Sequence, residues 1–221
     1  VEEAESIEKI KDRIDKCHKY RINGGRDAKK ASQVPHRFFY KKHKKGTALA
    51  LPFTSSESRE YLPVDYLNDG TIASNGLLTI YNSEIYIFGI LVSKIHMIWA
   101  KAISGKLETR LRYSVNMVYN TFPFPDISKV KKANIEENVF AVLEEREKHP
   151  EKTMAELYDP DKMPVGLRQA HKDLDEAVER CYRLQPFEND TQRLEYLFKE
   201  YEKMVAKDTL FEKKKKSRKK K

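Results

Sequence analysis

The sequence predicts an α+β protein, in which an irregular mixed α/β domain is followed by a small C-terminal helical bundle. Between residues 47 and 86, short β-rich runs alternate with turn residues. After residue 127, apolar residues recur at the three- and four-residue spacing of amphipathic helices. The predicted organisation is a first helix within 1–25, the mixed domain over 26–126, the helical domain over 127–212 and a disordered lysine-rich tail over 213–221.

The first helix is predicted over residues 2–22. Its apolar positions follow helical spacing and are Ile7, Ile10, Ile14 and Cys17. Asn23, Gly24 and Gly25 follow this pattern, and glycine is the residue that most often closes a helix. We therefore expect an amphipathic helix with a glycine stop.

Three strands are predicted in the mixed domain, over 48–53, 62–64 and 77–81, with turns at 68–70 and 82–83. A single buried helix is predicted over 85–103, because its apolar residues cover one broad face. Gly105 ends that helix. The following segments, 110–113 and 115–119, are predicted as two short strands or one bent strand.

Three helices are predicted in the second half of the chain. One covers 135–148, one opens at Pro164, and Asp190 or Thr191 caps the last. The inward positions of the second are Leu167, Ala170, His171, Leu174, Ala177, Val178 and Cys181. Because each helix has an apolar face that must be covered, the three are expected to form a bundle.

The net charge of +9 is distributed unevenly, with +6 over 1–126, −5 over 127–212 and +8 over 213–221. A basic first part is typical of a surface that faces phosphates, and an acidic second part faces away from nucleic acid or toward a protein. Asp27 is the one acidic residue in the basic segment 26–45, and His36, Phe38, Phe39 and Tyr40 are interleaved with its lysines and arginines. This segment either tracks a phosphate backbone or is a solvated basic loop.

Several function classes find no support in the sequence. Cys17 and Cys181 are far apart and the six histidines lack ligand spacing, so no metal site is predicted and a reducing cytoplasm is expected. Neither a nuclease signature nor a glycine-rich cofactor loop after a strand is found, so no catalytic residue is predicted. The longest apolar stretch, 85–92, is too short to span a bilayer, and no membrane partner is expected. The chain begins with Val1, and we expect a fragment of a longer protein.

Glu108 and Arg110 form the pair with the clearest chemical meaning. They lie two residues apart, so in an extended segment both side chains would leave the same face. A carboxylate can accept from the cytosine amino group while a guanidinium donates to O6 and N7 of the paired guanine. The spacing is equally compatible with an ordinary ion pair on a solvated strand, which is the commoner arrangement.

Five separated blocks carry a resemblance to a known family. The central block covers 104–114 and continues into the Tyr-Asn-Thr-Phe-Pro-Phe-Pro run at 119–125. The other blocks are 51–63, 71–75, 88–100 and a downstream pair at 157–171 and 193–198. Together they resemble, in the same order, the target recognition and C-terminal helical domains of the MmeI-like, Type IIL restriction-modification enzymes.

The resemblance implies a specificity module. Residues 1–25 would end a helical spacer, 26–126 would be a DNA target recognition domain and 127–212 a C-terminal helical domain. The module itself would need no cofactor. The whole enzyme would be a DNA adenine methyltransferase that uses S-adenosylmethionine, with Mg²⁺ for any cleavage. The implied partners are double-stranded DNA and the protein's own methyltransferase domain.

The resemblance also implies residue roles. Base reading is carried over to Glu108, Arg110 and Asn75, although Asn75 followed by Gly76 is also a turn dipeptide. Backbone or near-base contacts are carried over to Ser55, Ser56, Arg59, Lys106, Arg112, Tyr113 and Ser114. The chain departs from the family pattern at Lys106, Leu111 and Phe124, where the family usually has Arg, Tyr and Trp.

Two alternatives remain from the residues alone. The acidic helical half could dock a protein partner, with the basic segments merely solvated. Alternatively, His36, Phe38, Phe39 and Tyr40 could stack on RNA bases, which would predict a preference for single strands. Sequence preference on duplex DNA distinguishes the recognition domain from both.

Overall fold

The computed structural model describes residues 2–218, except for the side chains of residues 4, 106 and 208–218. The chain separates into two compact units, one up to Lys44 and one from Lys45 onward. The secondary structure is mixed, and the predicted α+β class with a C-terminal helical region is confirmed.

The first unit contains α1 (Glu2–Glu5), α2 (Glu8–Ile22) and α3 (Arg26–Ala31). The single helix predicted over 2–22 is interrupted at Ser6, whose hydroxyl donates to the Glu3 carbonyl at 2.7 Å. Such local side-chain bonds compete with continuation of a helix. The end predicted at Asn23 is confirmed, because Asn23 is the C-cap of α2.

Two three-stranded antiparallel sheets form the β structure of the second unit. In the first, β1 (Ala48–Pro52) lies between β3 (Asp65–Leu67) and β4 (Leu77–Tyr81). In the second, β6 (Arg110–Arg112) lies between β2 (Thr54–Ser55) and β5 (Gly105–Leu107). The strand predicted over 62–64 is wrong, because the pairing begins at Asp65 and the preceding residues pack as buried coil.

The long helix predicted over 85–103 is two helices, α4 (Ile85–Leu91) and α5 (Lys94–Ile103), bent by 57°. The break lies at Ser93, whose side chain caps α5 by accepting from the His96 amide. A short π-helix at Val115–Tyr119 replaces the second strand predicted after Gly105. No single helix among residues 2–218 is long and apolar enough to cross a membrane; only the bent α4–α5 pair passes by length and composition.

The second half is helical, with α6 (Lys129–Glu147), α7 (Met154–Leu157), α8 (Val165–Tyr182) and α9 (Asp190–Arg218). The first predicted helix begins earlier than expected, because Ser128 caps it. Pro164 is the N-cap of α8, and the predicted inward face of α8 is buried. The α9 cap is Asn189, whose side-chain oxygen accepts from the Gln192 amide at 2.9 Å, so the predicted caps Asp190 and Thr191 are wrong by one or two positions.

The mixed part and the helical part of the second unit share one core. Buried residues of α4 and α5, including Phe88 and Trp99, belong to the same cluster as Ile135 of α6 and Leu174 of α8. The packing is tight at Gly89, where an added Cβ would lie 2.6 Å from Ile135 Cγ2. Helices α6, α8 and α9 therefore pack against α4 and α5.

The lysine-rich tail is described only in part. The helical backbone of α9 continues to Arg218, whereas residues 219–221 and the side chains from 208 onward fall outside the described residues. The disorder expected over 213–221 stays a prediction.

Candidate nucleic-acid interface

The β5–β6 hairpin presents the central predicted block at a surface. Its register pairs Leu107 with Arg110, which leaves Glu108 and Thr109 as a two-residue loop. Glu108 has a φ of 58°, in the left-handed region where a side chain costs about 1–2 kcal/mol. Glycine or asparagine is the usual choice at such a position. A glutamate at this tip is therefore not explained by the stability of the turn.

Glu108 and Arg110 are brought together, but not for the predicted reason. Glu108 lies in the loop rather than in an extended strand, so alternation along a strand does not align the two side chains. They meet because the turn folds back, and an Arg110 guanidinium nitrogen donates to the Glu108 carboxylate at 2.9 Å. Both side chains remain largely exposed, 75% for Glu108 and 52% for Arg110.

Strand alternation instead places Arg110 and Arg112 on one face. Both are exposed, and Leu111 between them is buried. Arg112 pairs across the sheet with Thr54 of β2, which is also exposed, and its guanidinium lies 5.6 Å from the centre of the Phe53 ring. The outer face of this sheet thus carries two guanidinium groups on β6, the strand that follows the loop containing Glu108.

Phe53 connects this hairpin to the predicted Asn75 position. Its amide donates to the Gly76 carbonyl at 2.8 Å, and its carbonyl accepts from the Tyr113 amide at 3.0 Å. Asn75 and Gly76 form a turn just before β4, as the alternative interpretation predicted, and Asn75 is exposed there. Because the Asn75 side chain is exposed in this turn, a turn position is compatible with the predicted base-reading role.

Comparisons with known proteins agree with the block resemblance. The family model described as "MmeI, target recognition domain" matches residues 1–126, and "MmeI, C-terminal domain" matches residues 127–209. The chain belongs to the MmeI family. The resemblance drawn from the sequence is therefore confirmed.

This MmeI-family chain spans only a small part of the length of two proteins to which it is similar. DNA methyltransferase A of Bacillus subtilis (strain 168) is 46% identical over 158 residues, which cover 72% of this chain and 18% of that protein. A solved structure, described as the Type IIL restriction-modification enzyme MmeI in complex with DNA, superposes with a TM-score of 0.86 at 35% identity. That match covers 89% of this chain and 26% of the solved chain.

In this MmeI-family recognition domain, three of the predicted contact residues, two of them buried, already have internal hydrogen-bond partners. Tyr113 is 1% exposed, and contact with DNA would require it to leave the core. Ser55 is also buried, and its hydroxyl accepts from the Arg59 guanidinium at 3.2 Å. Ser114 caps the π-helix by accepting from the Met117 amide at 3.3 Å. Each of these three side chains has an internal partner in the free protein, and its contact with DNA stays a prediction.

The remaining predicted contact residues are more accessible. Ser56 is half-buried, and its hydroxyl lies 2.8 Å from that of Ser58. Arg59 is half-buried beside Ser55, with one of its guanidinium nitrogens directed to that hydroxyl. The side chain of Lys106 lies outside the described residues, and only its backbone, paired with Leu111, is placed.

The hairpin rests on a support that sequence reasoning missed. Tyr113, at the end of β6, places its hydroxyl 2.9 Å from His96 Nε2 of α5, and both residues are buried. Burial lowers the pKa of His96 to about 3, so the imidazole is neutral. His96 also packs edge-on against Phe122 at 4.5 Å. From the sequence, His96 is expected only as a residue on a helix face and not as a metal ligand, and its partner is not predicted.

No group of three or more metal-ligating side chains converges among the described residues. The turn from β4 to α4, formed by Asn82, Ser83 and Glu84, contains no glycine. It therefore lacks the glycine-rich cradle that a nucleotide-like cofactor needs at a strand-to-helix turn. This turn does not fit S-adenosylmethionine, and no chemical step is assigned to the described residues.

Proposed function

We propose that this chain reads the sequence of duplex DNA through the tip and outer face of the β5–β6 hairpin. The observation that carries the proposal is the conformation of Glu108, a charged residue in a left-handed turn position that is exposed and ion-paired to Arg110. Backbone strain of this kind is retained where surrounding structure and function require it. A hairpin is also narrow enough to enter the major groove.

The pair Glu108 and Arg110 has the donor and acceptor pattern of a reader for C·G. Glu108 accepts from the cytosine amino group, and Arg110 donates to O6 and N7 of the guanine. In the free protein each group satisfies the other at 2.9 Å. Because an exposed ion pair contributes only about 0–1 kcal/mol, exchanging it for base contacts costs little.

Neighbouring groups extend the proposed interface. Arg112 shares the outer face with Arg110 and is proposed as a near-base or phosphate contact. Asn75, exposed at the turn joined to the hairpin through Phe53, is proposed to read an adenine by a bidentate amide contact. Ser56, Arg59 and Lys106 are proposed as phosphate contacts, which position the module without carrying sequence information.

The proposal for the whole protein follows from the family. This module would set the specificity of a cytoplasmic DNA adenine methyltransferase, with its own methyltransferase domain as the intramolecular partner. S-adenosylmethionine would supply the methyl group in that domain, and Mg²⁺ would serve any cleavage. The residues of this chain would bind and orient DNA and would take no part in the transfer.

The test is selection from a randomised duplex pool at near-physiological salt, using the 221-residue chain. We expect an enriched site with one C·G position that becomes G·C when Glu108→Lys is combined with Arg110→Asp. The swap reverses donor and acceptor, and a good bidentate contact is worth about 1–3 kcal/mol of discrimination. Affinity for the new site should equal the original affinity for the old one.

A matched control exists on α8, where Arg180 and Glu176 form a similarly exposed ion pair. Glu176→Lys with Arg180→Asp makes the same charge exchange away from the hairpin and should leave the selected sequence unchanged. If the hairpin swap weakens binding at every sequence equally, the pair contacts phosphate or nothing, and the proposed base reading is wrong.

A further inference from the structure

The first unit carries a second basic surface. We call residues 37–44 the basic strap. Its members are Arg37, Phe38, Phe39, Tyr40, Lys41, Lys42, His43 and Lys44, and all of them are exposed. The strap contains no acidic residue.

The start of the strap is anchored, although it has no regular secondary structure. The Arg21 guanidinium of α2 donates to the carbonyls of Ala31, Val34 and Arg37 at 3.0, 3.1 and 2.9 Å. One side chain thus fixes the path of the loop that leads into the strap. These three hydrogen bonds give Arg21 a structural role and fix the position at which the strap begins.

The three aromatic residues of the strap differ in their contacts: Phe39 and Tyr40 pack on each other, whereas Phe38 is open to solvent. Phe39 and Tyr40 contact edge to face with ring centres 5.0 Å apart, and the Tyr40 hydroxyl donates to Asp27 at 2.6 Å. Phe38 is 80% exposed. A phenylalanine so open to water, next to fixed aromatic neighbours, is a ready stacking surface.

The charges around this ring are not neutralised locally. Asp27, the one acid in 26–45, is engaged by Tyr40 and lies 3.8 Å from Arg26. Within the described part of the chain, Lys41, Lys42 and Lys44 form no ion pair. Exposed cations interleaved with aromatic rings match a polyanion that also offers flat bases.

We propose that the basic strap is a second, sequence-independent DNA site, in which Lys41, Lys42 and Lys44 bind phosphates and Phe38 stacks on an unpaired base. The inference rests on the proposed function, because it assumes DNA on this chain. It goes beyond that function by assigning a site that contributes affinity without specificity. An unpaired base arises wherever a methyltransferase extrudes its target from the duplex.

The first test measures how the binding constant for a fully paired duplex depends on salt. Each phosphate contact contributes about 0.9 to the slope of log K against log salt, so changing all three lysines to Gln should lower it by up to about 2.7. The control changes three exposed helix lysines, Lys129, Lys172 and Lys199, to Gln and should leave the slope unaltered. An unchanged slope in the strap variant overturns the phosphate site.

The second test compares that duplex with one carrying a single unpaired base. Phe38→Ala should weaken binding to the second DNA on the order of 10-fold and hardly affect the first. Val130→Ala removes an equally exposed apolar side chain from α6 and serves as the control. Equal losses on both DNAs, or tighter binding to single-stranded RNA of the same sequence, overturn the stacking role.

The two proposals fail separately. The hairpin swap should change the selected sequence and keep the salt slope, whereas the strap variants should change the slope and keep the selected sequence. If the hairpin swap changes the selected sequence but the strap lysine variant keeps the original salt slope, only the proposed strap site is wrong. Absence of any DNA binding by the 221-residue chain removes both.

Discussion

Arg110 at the hairpin tip and Arg146 in the helical core show two uses of the same side chain. Arg110 is half exposed and has one carboxylate partner in a turn. Arg146 is 8% exposed and touches groups from three segments of the chain. Removing a buried, hydrogen-bonded charge costs far more stability than removing an exposed one, so residues at the hairpin tip can change without unfolding the protein.

The groups around Arg146 explain why replacing it should cost stability. Its guanidinium donates to the Tyr158 hydroxyl and, at 2.9 Å, to the Val64 carbonyl, and it lies over the rings of Phe88 and Tyr158. Tyr158 in turn lies 2.8 Å from His171 Nε2. Burial, and then the nearby Arg146 charge, lower the pKa of His171 well below its usual value. One cation thus joins the mixed part of the second unit to the helices.

The largest expected effect is for Arg146→Met. The substitution keeps apolar volume but leaves the Val64 carbonyl and the Tyr158 hydroxyl without their donor, so the free energy of unfolding should fall by about 3–5 kcal/mol. Urea denaturation followed by circular dichroism measures it. Arg110→Met is the control and should change stability by less than about 0.5 kcal/mol. Similar losses at the two sites would contradict the comparison.

The next effect concerns Asp175 of α8, which joins the same two parts. Its carboxylate accepts from the Lys94 amide at 2.6 Å and from the Tyr61 hydroxyl at 2.9 Å. Burial raises the pKa of Asp175 from 3.8 to about 7, assisted by Glu179 and opposed by these hydrogen bonds and by Lys94. The folded state therefore keeps a proton that the unfolded state releases.

The sign of the pH dependence follows. As pH rises from about 4 to about 7, the unfolded chain ionises Asp175 first, so the free energy of unfolding should fall across this window, then level off. The fall should be up to about 4 kcal/mol, at roughly 1.4 kcal/mol per unit of pKa difference. Asp175→Asn should flatten this part of the stability profile, and the exposed Asp173→Asn should not. An unchanged slope in Asp175→Asn would place the pH dependence elsewhere.

Much of the fold could be predicted because it follows local periodicity. The inward face of α8 and the strand at Leu77–Tyr81 are direct consequences of apolar spacing. The break at Ser93 was missed because the apolar pattern continues through it and only the side-chain cap reveals the new helix. The buried roles of Arg146 and Asp175 were not predictable, since their partners in the mixed part of the second unit lie 81 to 114 residues away in sequence.

The candidate site shows the same division. The residue types and their neighbourhood identified Glu108 and Arg110, and the resemblance placed them in a recognition domain. Their geometry depends on the pairing of Leu107 with Arg110, which no spacing rule supplied. For that reason the exposed Arg112 was ranked below Glu108, although Arg112 rather than Glu108 shares the strand face with Arg110.

The smallest expected effect isolates the strain at the tip. Glu108→Gly and Glu108→Ala both remove the ion pair to Arg110, but only glycine accepts a φ of 58° without steric cost. The glycine variant should therefore be more stable than the alanine variant by about 1 kcal/mol, measured by urea denaturation. Both should lose the preference for C·G in the selected DNA. Equal stability would mean that the turn holds no strain, and Glu108 would then need no functional reason to occupy it.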